Sequence, residues 1–260
     1  DLENKNIPFH LIHGSPAISV SELISEWDAS LLILDFNPLK IKKSWDIEIV
    51  KRVDCGVHQV DSHNIVPCWR ASEKLEYAAY TFRPRILSKL DPYLTAYPEL
   101  PAQKVSPTWF VNQKWDSPII ADSSVTQALP FNPGKKAAFE QLNRFLRQGV
   151  QRYEIEGNLP LGEGASRLSP YIHFGQISAQ RIATEIIENA AKTAGREAYL
   201  EQLIVRRELS DNFCYYQPSY DHPAAFPRWA RETLGQHEND QREYLYDETD
   251  LESAATHDDL

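Results

Sequence analysis

The sequence predicts an α/β region that is followed by an all-α region. Within the first 60 residues, three short apolar runs alternate with two segments of helical periodicity, an order that is typical of a parallel sheet flanked by helices. Beyond Lys135 the apolar residues recur at helical spacing throughout. At 260 residues and 42% hydrophobic composition, the chain is long enough for one large domain or two modest ones with a packed core.

The predicted α/β region contains three strands and two helices. Residues 7–13 alternate apolar and polar side chains, which predicts a strand. A capping box of the form Ser-x-x-Glu begins at Ser19 and predicts the start of a helix. Residues 31–34 form a continuous apolar run, as expected for a strand buried on both faces of a parallel sheet. A helix over residues 40–53 and a strand over residues 57–60 follow. Together these elements predict part of a parallel sheet, an incomplete one, with flanking helices.

Three segments follow from these patterns. We predict an α/β domain over residues 1–96, a proline-rich connector over residues 97–134 and a helical domain over residues 135–260. Two helices, residues 73–83 and residues 84–94, are expected at the end of the first domain because a proline separates them. The chain has no Met and both its ends fall within a pattern. We therefore expect a fragment, truncated in the α/β domain at one end and in the helical domain at the other.

Three tryptophans outside the motifs are given packing roles. Trp109 and Trp115 lie in the connector, where we expect them to anchor it by burial. Trp229 lies in a helix predicted from residue 227 to residue 234, and we expect it to be a core residue.

Composition limits the classes of function. The formal net charge of −10 excludes a protein that coats nucleic acid by bulk charge, but it leaves room for a local basic face. The three cysteines have neither CxxC pairing nor zinc-like spacing, so we expect reduced thiols and no metal site. An intracellular location is expected, in cytoplasm or nucleus, or in an organelle whose targeting segment is not in this sequence. No apolar run approaches the length of roughly 20 residues that crosses a bilayer, so no membrane association is expected.

The most informative stretch covers residues 164–178 and reads GASRLSPYIHFGQIS. A glycine turn precedes two serines, Ser166 and Ser169, that flank Arg167, and Pro170 is suited to the first turn of a helix. Hydroxyls, a guanidinium group and free backbone amides together form a receptacle for a phosphate or pyrophosphate. A polar turn between two helices, with a second helix starting after Ser178, explains the same residues.

His63 follows the third predicted strand, at the edge of the sheet where α/β proteins bind ligands. A catalytic role is one interpretation of it. The neighbouring Asp61 and Asn64 favour a turn residue instead, because Asx side chains form such turns unaided. No GxGxxG sequence follows a strand, so a common dinucleotide-binding fold is not indicated.

Four motifs in order resemble the photolyase/cryptochrome family. Residues 164–178 resemble its flavin-pyrophosphate loop, and SPYIHFGQIS is similar to the form found in class II cyclobutane pyrimidine dimer photolyases. The other motifs are residues 60–69, residues 203–214, and residues 242–246 taken with residues 256–258. The resemblance covers nearly all of the chain and implies an α/β domain joined to an all-α FAD-binding domain.

The resemblance implies FAD as cofactor. It assigns the ribityl-phosphate region of FAD to six residues, namely Tyr153, Ala165, Ser166, Arg167, Leu168 and Ser169. Arg144, Arg147 and Arg167 are available to the phosphates. Members of the family often have an arginine shortly after the tyrosine, whereas this chain has Gly157 and Asn158, so one ionic contact with the cofactor is expected to be missing.

The resemblance also implies DNA as substrate. The intact enzyme would flip a pyrimidine dimer out of UV-damaged DNA and split it with an electron from light-excited reduced FAD. The expected DNA or lesion contacts are Glu201, Gln202, Arg206, Arg207, Glu208 and Asn212. Gln202 and Arg206 stand where other members place an acid and an aromatic residue. The electron relay is expected beyond Leu260, so no catalytic residue is assigned, and the fragment itself is expected to be inactive.

Other readings stay open at this point. A second antenna chromophore in the α/β domain is compatible with the family, and a monomer is expected. A cryptochrome-like blue-light receptor would share the fold and FAD. The chain could also be a non-enzymatic truncated piece, or an ordinary α/β nucleotide-binding module, which the absence of a glycine fingerprint disfavours.

Overall fold

The computed structural model describes residues 2–104, 131–159 and 162–258. Contacts divide the chain into two compact units, Asp1–Tyr216 and Gln217–Leu260. Trp109 and Trp115, with the middle of the predicted connector, lie outside the described residues. None of the helices in the described part of the chain has both the length and the apolar composition needed to cross a bilayer.

The first unit begins with the predicted α/β arrangement. Helix α1, Pro16–Glu26, precedes strand β1, Leu31–Asp35. Helix α2, Lys40–Val50, then leads to strand β2, Gly56–Val60. The two strands pair in parallel, with Leu31 opposite Gly56 and Asp35 opposite Val60. The α/β class of the N-terminal part is therefore confirmed.

Two local predictions in this region are wrong. Residues 7–13 have no regular secondary structure, because an alternating segment needs a neighbouring strand, and in the described part of the chain β1 pairs with β2 alone. Helix α1 begins at Pro16 after Ser15, so Ser19 lies inside the helix rather than capping it. The fixed φ angle of proline suits the first turn of a helix, so the helix starts at Pro16, three residues before Ser19.

Strand β1 is more exposed than its apolar sequence predicts. Leu31 is 50% exposed and Ile33 is 61% exposed. A strand of a parallel sheet is buried on both faces only where a layer covers each face. Among the described residues, the face that carries Leu31 and Ile33 has no such cover.

The segment after β2 packs into the helical core. Helix α3 is Cys68–Ala71, helix α4 is Ala79–Leu87, and a 3-10 turn follows at Asp91–Tyr93. The predicted break at Pro84 is therefore wrong. Phe82 and Ile86 on either side of that proline are fully buried, and burying two large apolar side chains at about 1.5–3 kcal/mol each offsets the roughly 3 kcal/mol that an interior proline costs.

Helices make up the remainder of the first unit. They are α5 Lys135–Gln148, a 3-10 turn Val150–Arg152, α6 Tyr153–Glu156, α7 Ser169–His173, α8 Ala179–Asn189, α9 Ala194–Leu200, a π-helical turn Glu201–Arg206 and α10 Arg207–Tyr216. The Ser178 hydroxyl accepts a hydrogen bond from the amide of Arg181 and caps α8, as the sequence predicted. The all-α character of this region is confirmed.

One hydrophobic core joins the two halves of the first unit. Its fully buried members include Phe82 and Ile86 of α4, Leu142 of α5, Leu168, and Ile182 of α8. Residues 65–90, which belong to the predicted α/β domain, thus share a core with the helices. The domain boundaries at residues 96 and 135 stay a prediction.

The second unit is a small helical segment. It contains a 3-10 turn at Pro223–Ala225, helix α11, Arg228–Gln236, and helix α12, Glu248–Glu252. Asp247 and Asp250 form a reciprocal capping box at the start of α12. Trp229 is 70% exposed, and no residue of α11 is buried, so its predicted core position is wrong.

Candidate functional site

The loop of residues 162–169 is held against helices α5 and α6. Gly164 is buried, and a side chain there would meet the Cβ atom of Glu156 at 2.6 Å, so only glycine fits. Gln141 of α5 donates a hydrogen bond from Nε2 to the carbonyl oxygen of Ser166, at 2.8 Å. Leu168 is fully buried in the core and anchors the loop. The side chain of Leu168 therefore cannot contact a ligand, and its part in any site is to fix the loop.

The loop combines one hydroxyl that is bonded within the protein with several polar groups that are not. Arg167 adopts a left-handed conformation with φ of 53°, which is rare for a side chain of this size and leaves it exposed between the two serines. The Ser166 hydroxyl accepts from the amide of Leu168 at 3.3 Å. Within the described ranges, the amides of Ala165, Ser166, Arg167 and Ser169 have no acceptor. These donors meet the requirement for an anion-binding loop.

A cleft of about 170 Å³ opens beside this loop. Three arginines line it: Arg144 from α5, Arg152 from the following 3-10 turn, and Arg167. Arg152 pairs with Glu156 at 3.3 Å and lies 3.9 Å from Glu163, the acidic residue in the cleft wall. Neither Arg144 nor Arg167 has an acidic partner in the part of the chain that the structure describes. The cleft is small for a whole organic ligand, but it matches the size and charge of a phosphate or pyrophosphate group.

Tyr153 lies behind the loop in an aromatic cluster. Its ring packs edge-on against Phe145 and Tyr199, with centroid distances of 6.0 and 5.1 Å. Burial raises the pKa of the Tyr153 hydroxyl. Burial also raises the pKa of Tyr199, whose hydroxyl interacts with Ser166. The sequence did not single out Tyr199; only its place on the apolar stripe of α9 could have drawn attention to it.

Gly157 stands where the family often has an arginine. A Cβ atom at this position would lie 2.6 Å from the carbonyl oxygen of Tyr153 and 2.9 Å from its ring. Glycine therefore leaves room for the observed position of the tyrosine. The nearby guanidinium groups come from Arg144 and Arg152 instead. Arg147, one turn along α5 from Arg144, is not in the cleft wall.

The expected lesion contacts separate into two groups. Glu201 begins the π-helical turn and accepts two hydrogen bonds from the guanidinium of Arg83, at 2.9 and 2.7 Å. Arg206 lies 3.5 Å from the same carboxylate. Hydrogen bonding to Arg83 lowers the pKa of Glu201. Gln202 and Arg206 are exposed, so this group is available to a partner, on the kind of helical irregularity that is frequent at functional sites.

The second group is used inside the protein. Glu208 is 3% exposed and accepts hydrogen bonds from the amides of Ile65 and Val66, at 2.6 and 3.3 Å. Desolvation raises the pKa of its carboxyl group to about 8, although the two amides and Arg207 oppose the shift. Arg207 donates to the carbonyl oxygen of His63. Arg207 and Glu208 are thus engaged within the protein, and we do not propose them as lesion contacts.

Asn212 has a comparable structural role. It is fully buried, accepts a hydrogen bond from the amide of Glu76 at 2.8 Å and donates to the carbonyl oxygen of Lys74 at 3.0 Å. Both ends of its amide are therefore occupied. Asn212 holds the segment before α4 on helix α10 and is not retained as a lesion contact.

His63 lies in a turn built by Asp61, as the neighbouring residues indicated. One carboxylate oxygen of Asp61 accepts from the amides of His63 and Asn64, at 3.1 and 2.8 Å. The ring of His63 also lies 3.2 Å from the carboxylate of Asp211. A second cleft of about 280 Å³ opens here at the carboxyl ends of β1 and β2, and its polar wall includes Asp35, Asn37, Ser62, His63, His173 and Arg207.

Three comparisons place the chain among known proteins. The family model described as DNA photolyase matches residues 1–103. The deoxyribodipyrimidine photo-lyase of Oryza sativa is 42% identical over all of this chain and 54% of its own length. The enzyme of the same name from Arabidopsis thaliana is 39% identical over all of this chain and 55% of its length, and that of Potorous tridactylus is 33% identical over all of this chain and 50% of its length. The chain thus spans about half the length of the curated relatives that it matches.

Two solved structures share the fold. A class III photolyase from Agrobacterium tumefaciens superposes with a TM-score of 0.60 at 18% identity, over 79% of this chain and 45% of that protein. A Synechocystis cryptochrome superposes with a TM-score of 0.59 at 15% identity, over 86% of this chain and 51% of that protein. Together with the three photo-lyase sequences, each of which matches all of this chain, these findings show that the chain is similar over its whole length to DNA photolyases.

Proposed function

We propose that this chain supplies the pyrophosphate-binding side of a flavin site in an enzyme that repairs cyclobutane pyrimidine dimers with light. The observation that carries the proposal is the arginine-lined cleft beside the loop of residues 162–169. Two guanidinium groups of the cleft and four backbone amides of the loop have no partner in the described part of the chain. The curated relatives are named deoxyribodipyrimidine photo-lyase. Residues 169–178, SPYIHFGQIS, are similar to the form found in class II photolyases, and this similarity supports the class II branch.

Five residues would hold FAD by its phosphates and ribityl chain. Arg144 and Arg167 supply positive charge at the cleft. Ser166 and Ser169 supply backbone amide donors, and Ser169 also supplies a hydroxyl. Tyr153 is fixed by its aromatic neighbours and is not in the cleft wall, so it would meet the ribityl chain rather than the phosphates. When bound and reduced, FAD supplies the light-driven electron, and this chain's residues bind and orient the cofactor.

The substrate we propose is DNA that carries a pyrimidine dimer. Glu201, Gln202 and Arg206 form the exposed group that would meet the flipped bases. Arg83 keeps Glu201 ionised by lowering its pKa, and an ionised carboxylate accepts hydrogen bonds from the N–H groups of pyrimidines. Arg206 is available to a phosphate.

The polar cleft at the carboxyl ends of β1 and β2 is the place that we propose for a second, antenna chromophore. Ligands of α/β proteins bind at that edge of the sheet, and the cleft of about 280 Å³ carries side chains of both charges. We also propose that the protein works as a monomer within the cell, in cytoplasm or nucleus.

A flavin titration tests the site directly. Replacing Arg144 or Arg167 by Gln, or Ser169 by Ala, should weaken FAD binding about tenfold to a hundredfold each, the worth of one charge-assisted hydrogen bond of about 1.5–3 kcal/mol. Arg147→Gln is the matched control, since Arg147 is on the same helix outside the cleft wall. Equal FAD affinity in all four variants and the unchanged chain would refute the assignment.

A cryptochrome-like receptor is the second candidate, because the Synechocystis cryptochrome shares the fold over 86% of this chain. A repair assay separates the two functions. The longest natural polypeptide that contains this sequence is loaded with FAD, mixed with a dimer-containing oligonucleotide and irradiated with blue light. Loss of dimers supports the repair enzyme, and persistence of dimers with flavin bound supports the receptor.

A further inference from the structure

We propose that an exposed aromatic surface before and on helix α4 binds the DNA strand beside the lesion. This tyrosine surface consists of Lys74, Tyr77, Tyr80 and Arg83, and the inference rests on the DNA substrate proposed above. Tyr77 and Tyr80 are each 82% exposed. Such exposure is unusual for large aromatic side chains, and exposed apolar groups that cluster mark surfaces that bind a partner. The two tyrosines are three residues apart in the sequence.

The two tyrosines lie on the solvent side of a segment that is otherwise anchored in the core. Ala79, Phe82 and Ile86 of α4 are buried. Tyr80 and Arg83 are three residues apart, so they share the opposite face of the helix. The exposed rings are thus held by a helix whose other side is fixed.

The loop that leads to Tyr77 is fixed as well. Asn212 bonds to the backbone of both Lys74 and Glu76. The carboxylate of Glu76 accepts a hydrogen bond from the Ser72 hydroxyl at 2.7 Å and pairs with Arg85 at 2.9 Å. A surface that is ordered before binding loses less conformational freedom when a partner arrives. This gives the buried Asn212 and Glu76 a purpose beyond local stability.

Charge favours a polyanion as the partner. Residues 70–89 carry five Lys and Arg against two Glu, in a chain of net charge −10. One of the two acids, Glu76, is buried and paired with Arg85. The Lys74 ammonium is exposed and forms no salt bridge among the residues described, although its charge helps to lower the pKa of Glu76. A locally positive surface with exposed aromatic rings is the combination that binds single-stranded nucleic acid.

The tyrosine surface adjoins the proposed lesion contacts. Arg83 forms a two-bond pair with Glu201, and Arg206 approaches the same carboxylate. Extruding a dimer leaves neighbouring bases unstacked, and their faces stack on tyrosine rings without regard to sequence. We infer that Tyr77 and Tyr80 take up these bases while Lys74 contacts the phosphates.

Fluorescence anisotropy with the 260-residue chain tests the inference. The probe is a labelled single-stranded oligothymidylate that has been irradiated to form dimers. Tyr77→Ala and Tyr80→Ala should each raise the Kd about fivefold to a hundredfold, as loss of one base stack does. Tyr80→Trp should retain affinity. Tyr97→Ala is the matched control, because Tyr97 is 56% exposed but lies outside the surface.

Salt dependence provides a second measurement. Lys74→Gln should weaken binding to every oligonucleotide alike and make the slope of log K against log salt shallower by about 0.7. Lys136→Gln, an exposed lysine of α5, should leave the slope unchanged. The tyrosine variants should change affinity without changing the slope.

The outcomes separate this inference from the proposed enzyme. A chain that binds no DNA, or a Tyr77→Ala Tyr80→Ala variant with a Kd within about twofold of the unchanged chain, overturns the inference, and the latter result points to a protein partner for the surface. Weaker DNA binding by the tyrosine variants of a chain that binds no FAD leaves the inference standing and refutes the proposed flavin site.

Discussion

At position 208 a carboxyl group is buried against two backbone amides of a distant loop. Ile65 and Val66 lie 143 and 142 residues earlier in the chain. Burial raises the pKa of Glu208 to about 8, above that of an exposed glutamate. The folded protein therefore binds a proton at this carboxyl more tightly than the unfolded chain does.

This linkage predicts a pH-dependent stability. A raised carboxyl pKa stabilises the fold fully below the unfolded value near 4.5, and the contribution is lost as pH rises towards about 8. Glu208→Gln, which mimics the protonated form, should match the unchanged chain at low pH. Between pH 4.5 and pH 8 the free energy of unfolding of the variant should increasingly exceed that of the unchanged chain. The difference should be about 1.4 kcal/mol for each unit by which folding raises the pKa. Urea unfolding between pH 5 and 9 measures the difference.

The control for this prediction is Glu140→Gln, an exposed glutamate of α5. It should track the unchanged chain across the whole pH range. A Glu208→Gln variant that is uniformly less stable from pH 5 to pH 9 would show instead that Glu208 is ionised in the fold and that its two amide bonds outweigh its burial.

Single residues were predictable only where their partners are near in sequence. The turn at His63 follows from Asp61 two residues before it. Glu208 and Asn212 resemble functional polar residues in the sequence, yet they bond to backbone groups more than 130 residues away. A bond of this kind cannot be predicted from sequence periodicity, because the backbone amide that donates it can belong to any residue and leaves no pattern in the side chains around it.

Elements show a similar division. The start of α8 after Ser178 and the helical character beyond Lys135 follow from capping and helical spacing, which are local. The break at Pro84 and the strand over residues 7–13 were wrong. In the first case burial of the flanking apolar residues decides the conformation, and in the second the required neighbouring strand is not found among the described residues. Local signals therefore predict an element where no tertiary partner is needed to complete it.

Helix α10 holds the segment before α4 through Asn212 and through Tyr216, whose hydroxyl donates to the carbonyl oxygen of Ser72. The first of these contacts gives a prediction for the element. Asn212→Ala removes the acceptor for the buried amide of Glu76 and the donor to the partly buried carbonyl oxygen of Lys74. Leaving the buried amide unpaired should lower the free energy of unfolding by about 1–3 kcal/mol. Chemical denaturation measures this. Asn143→Ala, on the exposed face of α5, should change stability little, and equal effects of the two changes would contradict the role of Asn212.

On the scale of the whole chain, buried residues concentrate in the first unit. The core extends from Ile65 to Val205 and includes parts of α4, α5, α8 and the π-helical turn. In the described part of the second unit, by contrast, no residue is buried. Free energy of local opening scales with the apolar surface that an element buries, so the two units should differ in stability although both are helical.

Amide hydrogen exchange of the 260-residue chain should reveal this difference. Helix α8, with six buried residues, should exchange only in the slowest class, near the global free energy of unfolding. Helix α11 has nearly the same length but no buried residue, so its amides should exchange with protection close to that of an isolated helix, which is marginal in water below about 12–15 residues. Both helices are compared in one sample, which removes differences in pH and temperature. Protection of α11 as strong as that of α8 would contradict this prediction. It would show that α11 buries apolar side chains in solution, such as Trp229 and Leu234, which are exposed in the structure.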